Sequence, residues 1–473
     1  YIVIDEVHCL SEWGHDFRPS YLALANTIIS ILKTNVPIIS LTATASNNVL
    51  ENIKIELNIA SENVIFRMHN SRPELNYEII KTSNKNKNLD TTINKMIEDN
   101  KLSDNNAGIV FTMHVNGELG CFDVEKNINK NFPEIKSGIF CGRIPNDWSP
   151  RKEEESFNNY KTRIQNEYKN DDVQLICATK SFGMGINKKN IRFSLHYGMP
   201  SSMEALYQET GRTGRDKQEA QNIILFRDEK EKIPDKIFNQ NTNIDILKGY
   251  TDEGKRTERG DFKNQLWLVT NDKQTVDEEL HDIIHLLNIL NKEKTSPLEL
   301  RQKDELILYR LFQLGIISDW LVTDHFRNTY KIYHENISDK NLAKNVFKQI
   351  KKYEKSDPEI DKHKNNINEL FVKNEKNRRE EVIRYLLQWN NDHFLYNRRQ
   401  SLKTLYDYTK DFELTGPIEF KRKIEAYFKV SDQTTNIEKY IESNYLEAPN
   451  NLHDLLVING KLIAENKIQE IIF

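Results

Sequence analysis

Cysteine is scarce in this 473-residue sequence: there are four, and none follows Cys177. Cys9, Cys121, Cys141 and Cys177 form no C-x-x-C pair, which excludes a disulfide framework and a four-cysteine zinc module and suits reduced thiols. His281 and His285 stand four apart without a third clustered ligand, so no zinc site is expected. Long hydrophobic runs are missing as well. No apolar stretch approaches the ~20 residues of a membrane-spanning helix, and no signal-peptide pattern is read. A cytoplasmic protein with no membrane partner is expected, nucleoid-associated if the source is prokaryotic. Charge of one sign is also lacking: 67 basic residues face 71 acidic ones, for a net −4. Any polyanionic partner must then be met by local basic patches rather than a global field.

What is present suits a globular protein of several domains, with 38% hydrophobic and 29% charged residues. Tyr1–Ile4 is a continuous apolar run, read as a fully buried strand, and it ends in Asp5-Glu6-Val7-His8. A parallel strand delivers its C-terminal side chains to a ligand crevice. There one acid can hold magnesium through water and a second can orient an attacking water. An acidic strand end with a turn is the plainer alternative for this pair alone. Trp13, His15, Phe17 and Arg18 follow in a short loop, where aromatic faces and a guanidinium can stack on bases. Tyr21 to Lys33 has helical spacing. Pro37–Leu41 reads as another buried strand, ending in Thr42-Ala43-Thr44. Asn47–Ile59 reads as a helix and Val64–Phe66 as a short strand. Lys81–Asn88 is polar with nothing to bury.

A second α/β unit follows, with strands expected at 108–111, 137–141, 173–177, 191–197 and 222–226 and a parallel sheet. Asn146–Asp172 is highly charged and read as a solvated helix with loops. Two stretches inside this unit carry chemistry. Cys177-Ala-Thr179-Lys-Ser-Phe-Gly183-Met-Gly185-Ile-Asn187 has glycines that let backbone approach a phosphate or a neighbouring domain. Tyr207-Gln208-Glu-Thr-Gly211-Arg212-Thr-Gly214-Arg215-Asp216 places two arginines three apart, on one face of a helix. Planar guanidiniums suit a terminal phosphate. A salt-bridging surface helix is the alternative for the arginines alone.

Taken in order, these stretches resemble motifs II, III, V and VI of the RecQ family of superfamily 2 DNA helicases. The family's acid box is Asp-Glu-Ala-His, here Asp-Glu-Val-His, and an aromatic-rich loop follows it directly. Motif V ends in Asp in the family and in Asn187 here, which keeps polarity and loses charge. The resemblance implies ATP and Mg2+ as cofactors, with Asp5 holding the metal through water and Glu6 orienting the water, His8 completing the box. It implies Arg215 as an arginine finger, Arg212 on the γ-phosphate, and Gln208 shaping the cleft. Gly183 and Gly185 would line the nucleotide. Trp13, His15, Phe17, Arg18, Thr42, Thr44 and Thr179 would couple nucleic-acid binding to the acid box. Single-stranded DNA and a duplex with a single-stranded tail are the implied partners, and 3′-to-5′ translocation the implied direction.

A motor of this kind needs G-x-x-x-x-G-K-[ST] ahead of the acid box. Gly249-Tyr-Thr-Asp-Glu-Gly254-Lys255-Arg256 is the nearest match, but it lacks the hydroxyl and stands in the wrong place. The expectation is a fragment starting inside its first motor domain, weak in ATP hydrolysis alone and drawn from an active parent. Two further readings stay open: a nucleic-acid-binding or assembly protein derived from a helicase, and an RNA-directed motor of the same superfamily.

The expected fold class is α/β, with two RecA-like parallel-sheet domains, the first truncated, then a helical region. The expected divisions are 1–78 for the first motor domain, 79–90 for a linker and 91–230 for the second. They continue with 231–294 as a helical connector, 295–336 as a winged helix, and 337–473 as a helical C-terminal region. Thr275–Asn291 is amphipathic, and Leu298–Gly315 reads as a helix leading into a β-hairpin at 316–333. Val382, Leu386, Trp389, Leu395, Leu402 and Leu405 read as bundle core. Arg378, Arg379, Arg398 and Arg399 read as solvated helix faces, with a nucleic-acid path as the alternative.

Overall fold

The computed structural model describes residues 2–12, 37–65, 72–152, 155–183, 186–271, 273–292, 297–301, 304–324, 327–354, 356–373, 377–428, 457–458 and 461–462. Strands β1 (Ile2–Ile4) and β2 (Ile38–Ser40) pair in parallel, Ile2 opposite Ile38. Ile4 is buried, yet Val3, Ile39 and Leu41 are 49%, 45% and 48% exposed, so neither strand is the fully buried run expected. Side chains alternate across a strand, and among the described residues only one face of this pair is covered. Helix α1 (Cys9–Glu12) continues from the acid box. Helix α2 (Asn47–Leu57) turns Val49, Ile53 and Leu57 inward at four-residue spacing. Val64 and Ile65 are irregular rather than a strand, with Ile65 fully open to solvent. Trp13, His15, Phe17, Arg18 and the helix expected over 21–33 lie outside the described residues.

The second unit is a six-stranded sheet built from β3 (Leu75–Lys81), β4 (Ala107–Phe111), β5 (Ser137–Phe140), β6 (Leu175–Ala178), β7 (Ile191–His196) and β8 (Ala220–Phe226). The order is β3-β8-β7-β4-β6-β5 and every pair is parallel. All five residues of β4 are buried, as a strand covered on both faces requires. Helices α3 (Lys85–Glu98), α4 (Cys121–Asn131), α5 (Phe157–Lys169) and α6 (Met203–Thr210) connect the strands. Two expectations change here. Residues 79–90 are not a linker: β3 runs through Lys81, paired with Phe226, and α3 starts at Lys85. The polar stretch held a capping residue, since the Asn84 side chain accepts from Lys87 N at 3.1 Å. The charged segment 146–172 also buries one face, because Phe157, Tyr160, Ile164 and Tyr168 recur at helical spacing in α5. The Tyr160 hydroxyl accepts from Ile139 N at 3.0 Å, and the Tyr168 hydroxyl donates to Gly108 O at 3.1 Å.

The remainder is helical around one small antiparallel sheet. Helices α7 (Ile244–Asp252), α8 (Asp261–Thr270) and α9 (Val276–Lys292) come first. Gly249 lies inside α7, so the phosphate-loop look-alike begins in a helix. Leu298–Gly315 is not one helix: Leu298–Glu299 form strand β9, and helix α10 spans Asp304–Gln313. The Asp304 carboxylate accepts from Arg301 N at 2.9 Å, which sets the helix start. Strands β10 (Ile317–Asp324) and β11 (Thr329–His334) make the expected hairpin, with β9 added in the order β10-β11-β9. Helices α11 (Asp339–Tyr353), α12 (Asp357–Lys373), α13 (Arg378–Asn390), α14 (Tyr396–Lys410) and α15 (Phe412–Phe428) follow. Helix α15 breaks at Gly416, with φ +77°, just before Pro417. The six apolar residues expected as bundle core are all buried. Arg399 is buried too, its Nη2 donating to Asn239 O at 2.7 Å, so it is neither a solvated charge nor a nucleic-acid contact.

This helical region packs on both α/β units. Ile4, Val7, Leu10, Val49, Ile53 and Leu57 share one apolar core with α9, α10, α11 and α13. Lys352 of α11 pairs with the buried Glu56 of α2 at 2.7 Å. The edge strand β3 shares a second core with α14 and α15.

Burial lowers the pKa of His114 and of His393 to about 4; for His114 the cations Arg256 and Arg143 add to it. A folded pKa below the unfolded value means the native state binds fewer protons. Each histidine's contribution is therefore whole above about 6.5 and lost as pH falls towards 4, roughly 2 kcal/mol apiece between pH 7 and 5. Asp392 runs the other way. Burial raises its pKa to about 6, so acid returns roughly 1 kcal/mol over the same interval. His393 stacks on Trp389 at 4.9 Å, and His393→Phe keeps that stacking. Urea midpoints at pH 7 and pH 5 are expected to show the acid loss smaller by roughly 2 kcal/mol in this variant; an unchanged loss would exclude His393 as a source.

Candidate active site

The acid box leaves β1 through a strained turn. Glu6 has φ +50°, a left-handed conformation unusual for a residue with a long side chain. Its amide donates to Asp5 Oδ1 at 2.9 Å, and the Asp5 side is exposed. Val7 and His8 turn inward, Val7 N donating to Leu41 O at 3.0 Å. That bond ties the box to the end of β2, where Thr42 and Thr44 stand.

His8 is the hub. Its Nδ1 lies 2.9 Å from Thr42 Oγ1, 3.3 Å from Glu6 Oε2 and 3.4 Å from Thr44 Oγ1. The carboxylate can only accept, whereas the hydroxyls can donate or accept, so a proton on Nδ1 satisfies this set. Burial lowers the His8 pKa, opposed by the attraction of Glu6, Glu204 and Asp5. The ring is thus held neutral near pH 7. The two threonines predicted to couple domains are bonded within the first unit, to the histidine of the acid box.

The second unit faces this box with α6 and the turn after it. Ser202 caps α6 by accepting from Ala205 N at 3.1 Å, and Glu204 sits in its first turn. Arg212 and Arg215 do not share a helix face, contrary to the spacing argument. The helix ends at Thr210, and Gly214, at φ +59°, turns the chain so that its amide donates to Ile191 O at 3.0 Å. The two guanidiniums consequently part. Arg212 is 4% exposed, and its Nε has no hydrogen-bond partner among the described residues. Burial and Arg215 lower its pKa, while Glu209 and Glu6 pull it back up. Glu6 of the first unit thus lies within electrostatic reach of Arg212 of the second. Arg215 is exposed, its Nη1 donating to Ile186 O at 3.0 Å and Asn187 Oδ1 at 3.1 Å. The departure at Asn187 therefore holds an arginine as a neutral acceptor, where a carboxylate would form an ion pair.

Around this pair the other predicted residues fall in place unevenly. Gln208 is half-buried on α6. Thr179 follows β6, its hydroxyl 3.0 Å from Ser181 Oγ, and Gly183 ends a short turn over Lys180–Gly183. Gly185 lies outside the described residues. His281 and His285 sit on α9, and among the described residues no three histidines, cysteines or acids cluster. Sequence reasoning missed Arg72, whose Nη2 donates to Thr213 O at 2.8 Å and Gly214 O at 3.2 Å. It braces the arginine turn from the crossover between the units. The only signal was its place just before β3. Missed too was His196, whose Nε2 lies 3.0 Å from Glu209 Oε2 beneath α6.

A carboxylate pair at a strand end facing a buried, under-bonded guanidinium is the donor set for a metal-bound polyphosphate. The helicase conserved C-terminal domain matches residues 84–217. ATP-dependent DNA helicase RecQ of Bacillus subtilis (strain 168) is 36% identical over 225 residues, 48% of this chain and 34% of that protein. ATP-dependent DNA helicase Q1 of Mus musculus is 33% identical over 223 residues, 47% of this chain and 31% of that protein. The chain thus spans about a third of the length of these relatives. A solved structure of Mss116p bound to ssRNA and AMP-PNP aligns over 65% of this chain and 58% of its own at 15% identity, with a TM-score of 0.36, too slight a likeness to argue from. The motifs, their order and these identities together make this chain similar to the RecQ family of superfamily 2 helicases.

Proposed function

We propose that this chain forms part of an ATP-dependent DNA helicase, in which the cleft between its two α/β units takes the terminal phosphates of ATP with Mg2+. The observation that carries the proposal is the buried Arg212, its Nε without a partner among the described residues and its charge within electrostatic reach of Glu6. Asp5, exposed at the end of β1, would hold the metal, and Glu6 would orient the attacking water. The metal, when bound, neutralises charge on the phosphates. Arg212 supplies a cation within electrostatic reach of the acid box, and Arg215 is held on Asn187. The neutral His8 passes the position of Glu6 to Thr42 and Thr44. Trp13, His15, Phe17 and Arg18 contact single-stranded DNA, which links strand binding to the acid box. A 3′-to-5′ direction and duplex unwinding follow from the family reading.

The test is strand displacement by a protein joining this chain to a phosphate-binding loop, on matched DNA and RNA duplexes with 3′ or 5′ tails. ATP-dependent displacement of DNA carrying a 3′ tail is expected. Preference for RNA would support an RNA-directed motor instead. Tight strand binding without ATP turnover would support a binding protein that has lost catalysis.

A further inference from the structure

Helix α15 packs on β3 and α6 of the second unit. Lys421 Nζ donates to Arg72 O at 2.7 Å and Leu75 O at 3.1 Å, at the start of β3. Phe420 meets Tyr77 of β3 edge-on at 5.7 Å. At its end, the Tyr427 hydroxyl donates to Glu204 Oε1 at 2.9 Å, and Phe428 packs on Tyr207 at 4.6 Å. Ser401 of α14 reaches the other Glu204 oxygen at 3.5 Å. Glu204 is 5% exposed and carries no part of the arginine motif, so its burial is unexplained by nucleotide contact. Its position explains it. Glu204 also lies within electrostatic reach of His8 in the first unit.

We propose that α15 is a splint on α6, in which Tyr427 is a positioning residue that holds Glu204 and thereby sets the pose of α6 and of the arginine turn that follows it. Lys421 fixes the same helix to the start of β3, so the two contacts together tie α6 to the sheet edge through the C-terminal region. The proposal rests on the nucleotide-cleft reading only in naming what α6 presents to the first unit. An under-anchored α6 leaves Arg212 free to wander from Glu6, and the splint removes that freedom by hydrogen bonding rather than by bulk.

Hydrogen exchange of the whole chain, followed by mass spectrometry, tests this without requiring ATP turnover. Tyr427→Phe keeps the ring and its packing and deletes one donor to a buried carboxylate. Exchange over 203–210 is expected to rise about tenfold while α15 and the β4–β6 strands keep their protection. Glu204→Gln retains an acceptor for the phenol and is expected to stay within about threefold of the unsubstituted chain, whereas Glu204→Ala matches Tyr427→Phe. Unchanged exchange over 203–210 in Tyr427→Phe overturns the splint. So does a uniform rise across the second unit, which would make Tyr427 a packing residue, or a Glu204→Gln chain indistinguishable from Glu204→Ala. Failure of the ATP assays with these exchange results intact would count against the helicase reading alone.

Discussion

Glu6→Gln, introduced into a protein that joins this chain to a phosphate-binding loop, is expected to lower strand-stimulated ATP hydrolysis by about 10²–10⁴-fold. Nucleotide affinity should stay within about threefold, because the substitution removes an interaction needed only when water attacks. The geometry makes the substitution clean. Glutamine keeps the length of the side chain and an oxygen for the His8 Nδ1, 3.3 Å away, so the hub with Thr42 and Thr44 survives. What is lost is the carboxylate's basicity and its pull on Arg212. Asp5→Asn separates the two acids: its defect should be relieved in part by raised magnesium, and the Glu6→Gln defect should not. Phosphate release measured in a coupled assay, alongside binding of a fluorescent ATP analogue, reads both quantities. Turnover at the unsubstituted rate would remove Glu6 from the water-orienting role.

How much of this site could be read from the sequence depends on whether the signal was local. Asp5, Glu6, Thr42 and Thr44 are adjacent to apolar runs whose ends are visible in sequence, and both strands formed where those runs stand. The five strands of the second sheet were legible for the same reason, as short continuous apolar stretches between polar ones. β3 was missed because its alternating Leu75-Asn-Tyr-Glu-Ile pattern is that of an edge strand, and its partner β8 lies nearly 150 residues away. The arginine face failed for a local reason: a three-residue spacing means a shared face only while the helix lasts, and glycines at 211 and 214 end it. The roles of Glu204 and Arg72 were not legible in their own segments. Their importance comes from what the C-terminal helices and the crossover bring beside them, and no periodicity in either segment announces a distant partner. The exposed face of β1 and β2 shows the converse. An apolar run reports a preference for burial, and whether a given face is buried is decided by what packs on it.

The second large effect concerns stability and lies at the joint between the sheet and α8. Asp261→Ala is expected to cost about 3–5 kcal/mol of unfolding free energy, a large share of the stability of an ordinary domain. Lys85, at the first turn of α3, and Asp261, at the first turn of α8, are 3% and 0% exposed and meet at 2.5 Å. The second Asp261 oxygen accepts from Met199 N at 3.1 Å and Arg227 N at 3.0 Å, past the ends of β7 and β8. One carboxylate thus satisfies a buried ammonium and two buried amides. Lys85 also donates to Tyr197 O at 3.3 Å, and burial lowers its pKa against the pull of Asp261. Space is tight: a Cβ on Gly198 would stand 2.9 Å from the Lys85 nitrogen and 2.3 Å from Met113 Cε. Alanine at 261 leaves the charge and both amides without partners in a pocket closed to water, and Lys85 must then lose its proton or drag solvent inward. Lys85→Met with Asp261→Asn removes the charge from both sides and keeps an acceptor for one amide. That double variant should recover most of the loss, since a buried pair is dear to break and cheap to replace. Urea midpoints of the two single variants and the double variant decide the matter. Additive losses in the double variant would mean that the pair acts through packing and not through mutual charge compensation.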